Sequence, residues 1–137
     1  MSDIQLSVVV PVFNESENLE PLLTEIVAAL EGKYAYEIVY VDDSSDDDTA
    51  QKLVALKAKF PRLHPVRNNP RSGQSFAVHS GVKVAKGVWI GTLDGDGQND
   101  PADLPKLFDA ALQGGAELAL VGGVRTKRKD TFSKRIG

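Results

Sequence analysis

The apolar run LSVVVPVF, residues 6–13, constrains the fold of this chain more than any other stretch. A strand that is apolar at nearly every position, and not only at every second one, is buried on both faces, which is typical of a parallel sheet covered by helices. Residues 19–30 then carry leucine, isoleucine and valine at the spacing of one helix face, and glycine follows at position 32. The start of the chain therefore predicts a buried strand followed by an amphipathic helix.

The same alternation of strand and helix continues along the chain. The pattern predicts further strands at 36–42, 63–68, 88–94 and 116–123. It predicts helices that end near Phe60, that span 74–86, and that run from Pro101 to about residue 113. This rhythm is that of one α/β domain with a mainly parallel sheet and helices on both faces.

Two local details accompany this interpretation. Asn14 and Glu17 have the spacing of a capping pair at the start of the first helix. The third helix contains small residues, among them Ala77 and Gly81, which would allow it to pack closely on the sheet.

Composition excludes several classes of protein. With 42% hydrophobic and 26% charged residues in 137 positions, the chain is expected to form a folded domain with a substantial core. It contains no cysteine, which excludes disulfides and thiolate metal sites. No apolar run approaches the roughly 20 residues of a membrane-spanning helix, and no secretory signal pattern is visible. These features favour a cytoplasmic location.

Charge is unevenly distributed along the chain. The net charge is −3, yet residues 125–137 hold six basic residues and one acidic residue. This basic segment, for which we expect a helix, suits contact with phosphate or with the anionic inner face of a membrane. Because the basic residues are concentrated in the tail, general nucleic-acid binding is not expected.

A polar cluster follows each predicted strand. In chain order the clusters are NES, DDSSDDD, NNPRSG, DGDGQND and GGVR. In open α/β sheets the carboxyl ends of the strands face the ligand crevice. We therefore expect the five polar loops to converge on one side of the sheet.

The fourth cluster, DGDGQND, has the character of a cation site. One glycine separates Asp94 from Asp96, so that both carboxylates can point toward one place. Ligands that are all oxygens favour a hard ion, Mg²⁺ or Mn²⁺, whereas the closing glutamate of a calcium-binding loop is missing. An exposed Asp-Gly turn is the alternative.

The first two clusters suggest contacts to a nucleoside. Phe13 is able to offer an apolar surface to a base, and Glu15 is able to bind a ribose hydroxyl. Asp42 and Asp43, at the end of the second strand, are able to accept hydrogen bonds from a nucleobase. A core phenylalanine, a glutamate that starts a helix and a structural aspartate pair are the alternatives.

Three arginines are candidates for contact with a diphosphate, which arginine binds through bidentate hydrogen bonds. Arg67 and Arg71 lie around the third polar loop, where we expect solvated side chains. Arg125, directly after the fifth predicted strand, is the better placed of the three.

The five clusters together, in this order, resemble the family 2 glycosyltransferases of the GT-A fold. The likeness is greatest to the branch that transfers a sugar from a nucleotide to a polyprenyl phosphate, the dolichol-phosphate mannose synthase type. The matching segments cover nearly the whole chain. They are VVVPVFNESENL, YVDDSSDDDT, RNNPRSGQSFAVHSG, AKGVWIGTLDGDGQNDP and VGGVR.

This resemblance implies a role for each matching residue. It implies that the D-x-D-x-Q residues, with Asp94 and Asp96 as the catalytic pair, bind Mg²⁺ or Mn²⁺ at the diphosphate of a UDP- or GDP-sugar. It implies a first nucleotide-binding loop, a base-reading aspartate pair and an arginine that faces the phosphates. The implied site consists of Pro11, Phe13, Glu15, Asp42, Asp43, Asp94, Asp96, Gln98 and Arg125.

The resemblance further implies an inverting transfer to a lipid-phosphate acceptor, for which no general base is needed because phosphate is already anionic. Two departures from the family pattern stand out. Gly97 occupies a position where the family usually has leucine, and the chain is shorter than the family's catalytic domains. We expect a nucleotide-sugar-binding domain over 1–124, and a basic segment over 125–137 that leads into an acceptor-binding part outside this chain.

Three alternatives remain open from the sequence. The leading interpretation is an enzyme or its donor-binding part, and the first alternative is an inactive module that binds nucleotide and metal. A receiver-type signalling domain would carry its acidic pair after the first strand, and here the pair follows the second. A nucleotidyltransferase would need a basic glycine-rich loop after the first strand, where this chain has PVFNE.

Overall fold

The computed structural model describes residues 4–93, 101–106, 108–109 and 131–134. Strands and helices alternate through the first 92 residues. In chain order they are β1 (Leu6–Val12), α1 (Leu19–Leu30), β2 (Tyr36–Asp42), α2 (Thr49–Lys59), β3 (Leu63–Arg67), α3 (Gln74–Val84) and β4 (Trp89–Thr92). A 3-10 turn at Pro101–Asp103 and the strand β5 (Thr131–Lys134) complete the described elements.

The strands form one sheet in the order β3-β2-β1-β4-β5. The first four strands are parallel, and β5 runs antiparallel to β4. Four predicted strands are therefore confirmed, with small differences at their ends. The predicted helix at Pro101 begins as a 3-10 turn, and the predicted strand at 116–123 lies outside the described residues.

Helices cover both faces of the sheet, as the apolar runs predict. Successive side chains of β1 point to opposite faces. Val8 and Val10 join the core that contains Leu23 of α1 and Leu53 of α2. Val9 joins the smaller core on the other face, where α3 packs. Both faces of the central strand are fully buried, which is why the sequence of β1 is apolar at consecutive positions.

The close packing predicted for α3 depends on Gly81. A Cβ atom at this position would lie 2.5 Å from Val9 Cγ1 and 2.9 Å from Val41 Cγ2. Both distances are shorter than van der Waals contact allows, so only glycine lets the helix approach the sheet this closely.

Two expectations about local structure are wrong. Thr131–Lys134 form a strand and not a helix, because pairing with β4 satisfies backbone groups that an open edge of the sheet would leave unpaired. The capping pair is absent: Asn18 precedes α1 without a side-chain cap, and Asn14 adopts a φ of 53° and binds another loop.

The division of the chain at residue 124 stays a prediction. No helix in the described part of the chain is long and apolar enough to cross a membrane.

Candidate functional site

The carboxyl ends of the parallel strands lie side by side. Val12 of β1 pairs in register with Asp42 of β2, which in turn pairs with Arg67 of β3. On the other side of β1, Thr92 of β4 pairs with Val9. The polar loops that follow these four strands therefore begin at one edge of the sheet, as expected.

Asp42 forms a buried ion pair at the end of β2. Its Oδ2 accepts a hydrogen bond from Arg67 Nη1 at 2.6 Å, and its Oδ1 accepts one from the backbone amide of Ser45 at 2.9 Å. The carboxylate is almost completely buried, whereas the Arg67 side chain remains partly exposed. The expectation that Arg67 is merely solvated is wrong, because the pair joins β3 to the loop after β2.

Asp43 fastens the loop after β3 to the end of β2. Only 4% of its surface is exposed, and its two carboxylate oxygens accept hydrogen bonds from the amides of Ser72 at 2.8 Å and Gly73 at 2.7 Å. Each carboxylate oxygen has a second lone pair, so Asp43 retains the capacity to accept further hydrogen bonds. The sequence did not indicate this loop contact, which spans about thirty residues.

The end of β1 presents Phe13 beside these carboxylates. Pro11 is buried in the strand, whereas Phe13 is half-buried and is not a core residue. The guanidinium carbon of Arg71 lies 3.8 Å from the centre of the Phe13 ring, and Arg71 Nε lies 3.9 Å from Asp43 Oδ2. The loop after β3 therefore reaches across the end of β2 to the end of β1, so Arg71 is not simply solvated.

Glu15 lies just before α1, next to an open cavity of about 310 Å³ lined mostly by polar residues. Its Oε1 accepts a hydrogen bond from Asn18 Nδ2 at 2.8 Å. The residue is only partly buried, and its other carboxylate oxygen, Oε2, is compatible with contact to a hydroxyl group.

Sequence reasoning missed the contact that holds the first two loops together. The amide of Asn14 donates to Ser45 Oγ at 2.8 Å, and Asn14 Oδ1 accepts from the amide of Asp46 at 3.0 Å. Asparagine is among the few non-glycine residues that tolerate a positive φ, so an asparagine directly after a strand was the available signal.

The predicted metal motif follows β4. Leu93 is buried, and its amide donates to the carbonyl of Val9 at 3.1 Å, which continues the alignment of β4 with β1. Asp94, Asp96 and Gln98 lie outside the described residues, as does Arg125. Two carboxylates and a carboxamide are oxygen donors that fit Mg²⁺ or Mn²⁺. Among the described residues, no group of three or more histidines and acids is arranged to hold a metal.

The family model described as glycosyl transferase family 2 matches residues 7–136. The chain is 37% identical to a dodecaprenyl-phosphate galacturonate synthase of Rhizobium johnstonii, over 99% of this chain and 40% of that protein. It is 40% identical to a dolichol-phosphate mannosyltransferase of Pyrococcus furiosus, over 85% of this chain and 32% of that protein. The chain thus spans 40% or less of the length of these relatives.

Solved structures share the fold. The mannosyltransferase PcManGT from Pyrobaculum calidifontis, in complex with GDP-Man and Mn²⁺, has a TM-score of 0.71 and 24% identity over 81% of this chain and 33% of that chain. TarS of S. aureus, in complex with UDP-GlcNAc, has a TM-score of 0.68 and 25% identity over 81% of this chain and 32% of that chain. These likenesses confirm the Rossmann-like GT-A fold. Since the family model spans nearly all of the sequence, this chain belongs to glycosyl transferase family 2.

Proposed function

We propose that this chain binds the nucleotide-sugar donor of a metal-assisted, inverting glycosyltransferase whose acceptor is a polyprenyl phosphate. The observation that carries the proposal is that Phe13 and Asp43, both beside Arg71, lie at the ends of β1 and β2, next to the strand that leads into the D-x-D-x-Q residues. Glu15 follows Phe13 two residues further along the same loop. The relatives support the acceptor class, because their names specify dodecaprenyl phosphate and dolichol phosphate.

The donor's nucleoside would lie at the ends of β1 and β2. In this proposal the base stacks on Phe13, the free lone pairs of Asp43 accept a hydrogen bond from the base, and Glu15 binds a ribose hydroxyl. Pro11 and Asp42 are buried at the ends of β1 and β2 and stabilise the loops that follow these strands. Asp42 does so through its ion pair with Arg67. The nucleotides UDP and GDP, which both offer an N–H on the base edge, are the candidates.

The diphosphate would lie toward the end of β4. Asp94, Asp96 and Gln98 would hold Mg²⁺ or Mn²⁺, and Arg125 would contact the phosphates. A divalent cation bound there would stabilise the negative charge that develops on the leaving nucleoside diphosphate. The acceptor phosphate carries its own negative charge, so the chain's residues need to orient it and do not need to deprotonate it.

The acceptor and the place of reaction belong to the same proposal. A polyprenyl phosphate resides in a membrane, and the basic segment 125–137 is suited to an anionic membrane surface. We therefore propose peripheral attachment at the cytoplasmic face. The second candidate function is nucleotide and metal binding without turnover.

Calorimetry against UDP and GDP, with and without Mn²⁺, tests the donor site. We expect one of the two nucleotides to bind, and we expect Mn²⁺ to strengthen this binding. Asp96→Ala should abolish the effect of Mn²⁺, whereas Glu25→Ala, which removes an exposed carboxylate of α1, should preserve it. Absence of binding to either nucleotide would contradict the proposal, and full Mn²⁺ dependence in Asp96→Ala would remove this residue from the site. Release of free nucleoside diphosphate when polyprenyl phosphate is added separates turnover from binding alone.

A further inference from the structure

Arg71 occupies the surface that the proposed function assigns to a nucleobase. Its guanidinium carbon lies 3.8 Å from the centre of the Phe13 ring. This is the separation of atoms in van der Waals contact, so the face of Phe13 that Arg71 covers has no room for a base. A base can stack on this face only if the guanidinium moves away.

The backbone around Arg71 is anchored, although its side chain is not. The amides of the next two residues, Ser72 and Gly73, are bound by the buried Asp43 carboxylate. The Arg71 side chain itself is 61% exposed, and its contact with the Asp43 carboxylate is long at 3.9 Å. The guanidinium can therefore leave the ring while its Cα stays above the ends of β1 and β2.

The balance of interactions favours replacement of Arg71 by a nucleobase on the Phe13 ring. A cation–π contact at an exposed site is weak. The ion pair with Asp43 adds little to it, because the guanidinium is largely exposed and lies 3.9 Å from the carboxylate oxygen. Stacking of a base on an aromatic ring is generally the stronger interaction. A displaced Arg71 would also be a free positive charge next to β1, the strand between β2 and β4, and hence between the proposed base and diphosphate positions.

We propose that Arg71 covers Phe13 in the empty site, that the nucleobase of the donor displaces it, and that the released guanidinium then binds the donor's diphosphate. This inference rests on the proposed donor site. It makes Arg71 a specificity-determining residue: the residue opposes binding of a bare nucleoside and favours binding of a nucleoside diphosphate.

The test compares nucleosides with nucleoside diphosphates in Arg71→Ala. Calorimetry with uridine, guanosine, UDP and GDP in Mg²⁺ gives the four dissociation constants. We expect the variant to bind the preferred nucleoside about two- to fivefold more tightly, since the cation–π contact no longer has to be broken. We expect it to bind the corresponding diphosphate about tenfold more weakly, since a charged hydrogen-bond donor is lost. The two effects have opposite signs, which a purely structural role would not produce.

Arg62 provides a matched control. Its guanidinium carbon lies 4.5 Å from the centre of the Tyr36 ring, and its Nε lies 3.4 Å from Glu31, so it has the same kinds of contact as Arg71. Tyr36 is the first residue of β2, so this arginine lies at the opposite end of the strands from the site. Arg62→Ala should leave all four dissociation constants unchanged.

A second readout follows the arginine directly. In the unliganded protein, the Phe13 ring current should shift the NMR signals of the Arg71 side chain, and this shift should disappear when UDP or GDP is added with Mg²⁺. If Arg71→Ala weakens the binding of the nucleoside and of the nucleoside diphosphate by the same factor, the proposal is overturned. In that case the arginine stays on the base and stacks on it as a further layer. Dissociation constants that do not change in Arg71→Ala overturn the proposal as well. If the wild-type protein binds none of the four compounds, the donor site itself fails, and this inference falls with it.

Discussion

Removing the carboxylate of Asp43 should detach the loop after β3 from the sheet. Asp43→Ala leaves the amides of Ser72 and Gly73 without the acceptor that binds both in the native protein. A net hydrogen bond to a charged group contributes about 1.5–3 kcal/mol, so two such bonds set an upper range of about 3–6 kcal/mol. The loop is at the surface, and water can bind the freed amide of exposed Ser72. We therefore expect a loss of about 2–4 kcal/mol in the free energy of unfolding.

Urea unfolding followed by circular dichroism measures this loss. With a slope of roughly 2 kcal/mol/M, the midpoint should fall by about 1–2 M while the slope itself stays constant. Asp43→Asn should fall between the wild type and the alanine variant, because its amide oxygen still accepts one bond while its NH₂ group faces the other amide. Asp46→Ala, which removes an exposed carboxylate three residues away, should change stability by no more than about 0.5 kcal/mol.

Equal midpoints for Asp43→Ala and Asp46→Ala would refute the structural role of Asp43. The result also bears on the donor site. If Asp43→Ala is strongly destabilised, a loss of nucleotide binding in this variant does not by itself demonstrate a contact between Asp43 and the base, because the loop that carries Arg71 has moved as well.

Two further predictions concern α3 and β3. Gly81→Ala should reduce the free energy of unfolding by about 1–3 kcal/mol, since the new methyl group would overlap Val9, whereas Lys83→Ala on the exposed side of the helix should be nearly neutral in the same urea titration. Burial and nearby lysines lower the pKa of His64 from its ordinary value of 6.5. The unfolded chain then binds the proton more readily, so stability should be highest above pH 6.5 and should decline as the pH falls through that value toward the lower pKa of the folded protein. His64→Gln should flatten this decline between pH 7.5 and 5.5, and His79→Gln, the matched control, should preserve it; an unchanged decline in His64→Gln would contradict the assignment.

The hydrophobic pattern was sufficient to predict the framework. Consecutive apolar positions in β1 predicted a strand buried on both faces, and the small residues of α3 predicted its close approach to the sheet; both are confirmed. These features are local. The spacing of apolar residues that distinguishes a helix from a strand, and the size of each side chain, can be taken from residues that are neighbours in the sequence. Because the strands could be located from neighbouring residues, the polar loops could also be assigned to the carboxyl ends of the strands before their contacts were known.

The contacts among those loops depended on the tertiary structure. The bonds from Ser72 and Gly73 to Asp43, and the stacking of Arg71 on Phe13, join residues that are about 30 to 60 positions apart. They exist because the strand order places the ends of β1, β2 and β3 next to one another, and local sequence does not encode that order.

The basic tail is the clearest case of tertiary control. Its composition favoured a solvated helix, but Thr131–Lys134 add a strand to β4, whose edge offers unpaired backbone groups. A strand's backbone hydrogen bonds are made to a distant partner, whereas a helix satisfies its own. The sequence of the tail therefore determined its charge, and the exposed edge of the sheet determined the conformation of these four residues.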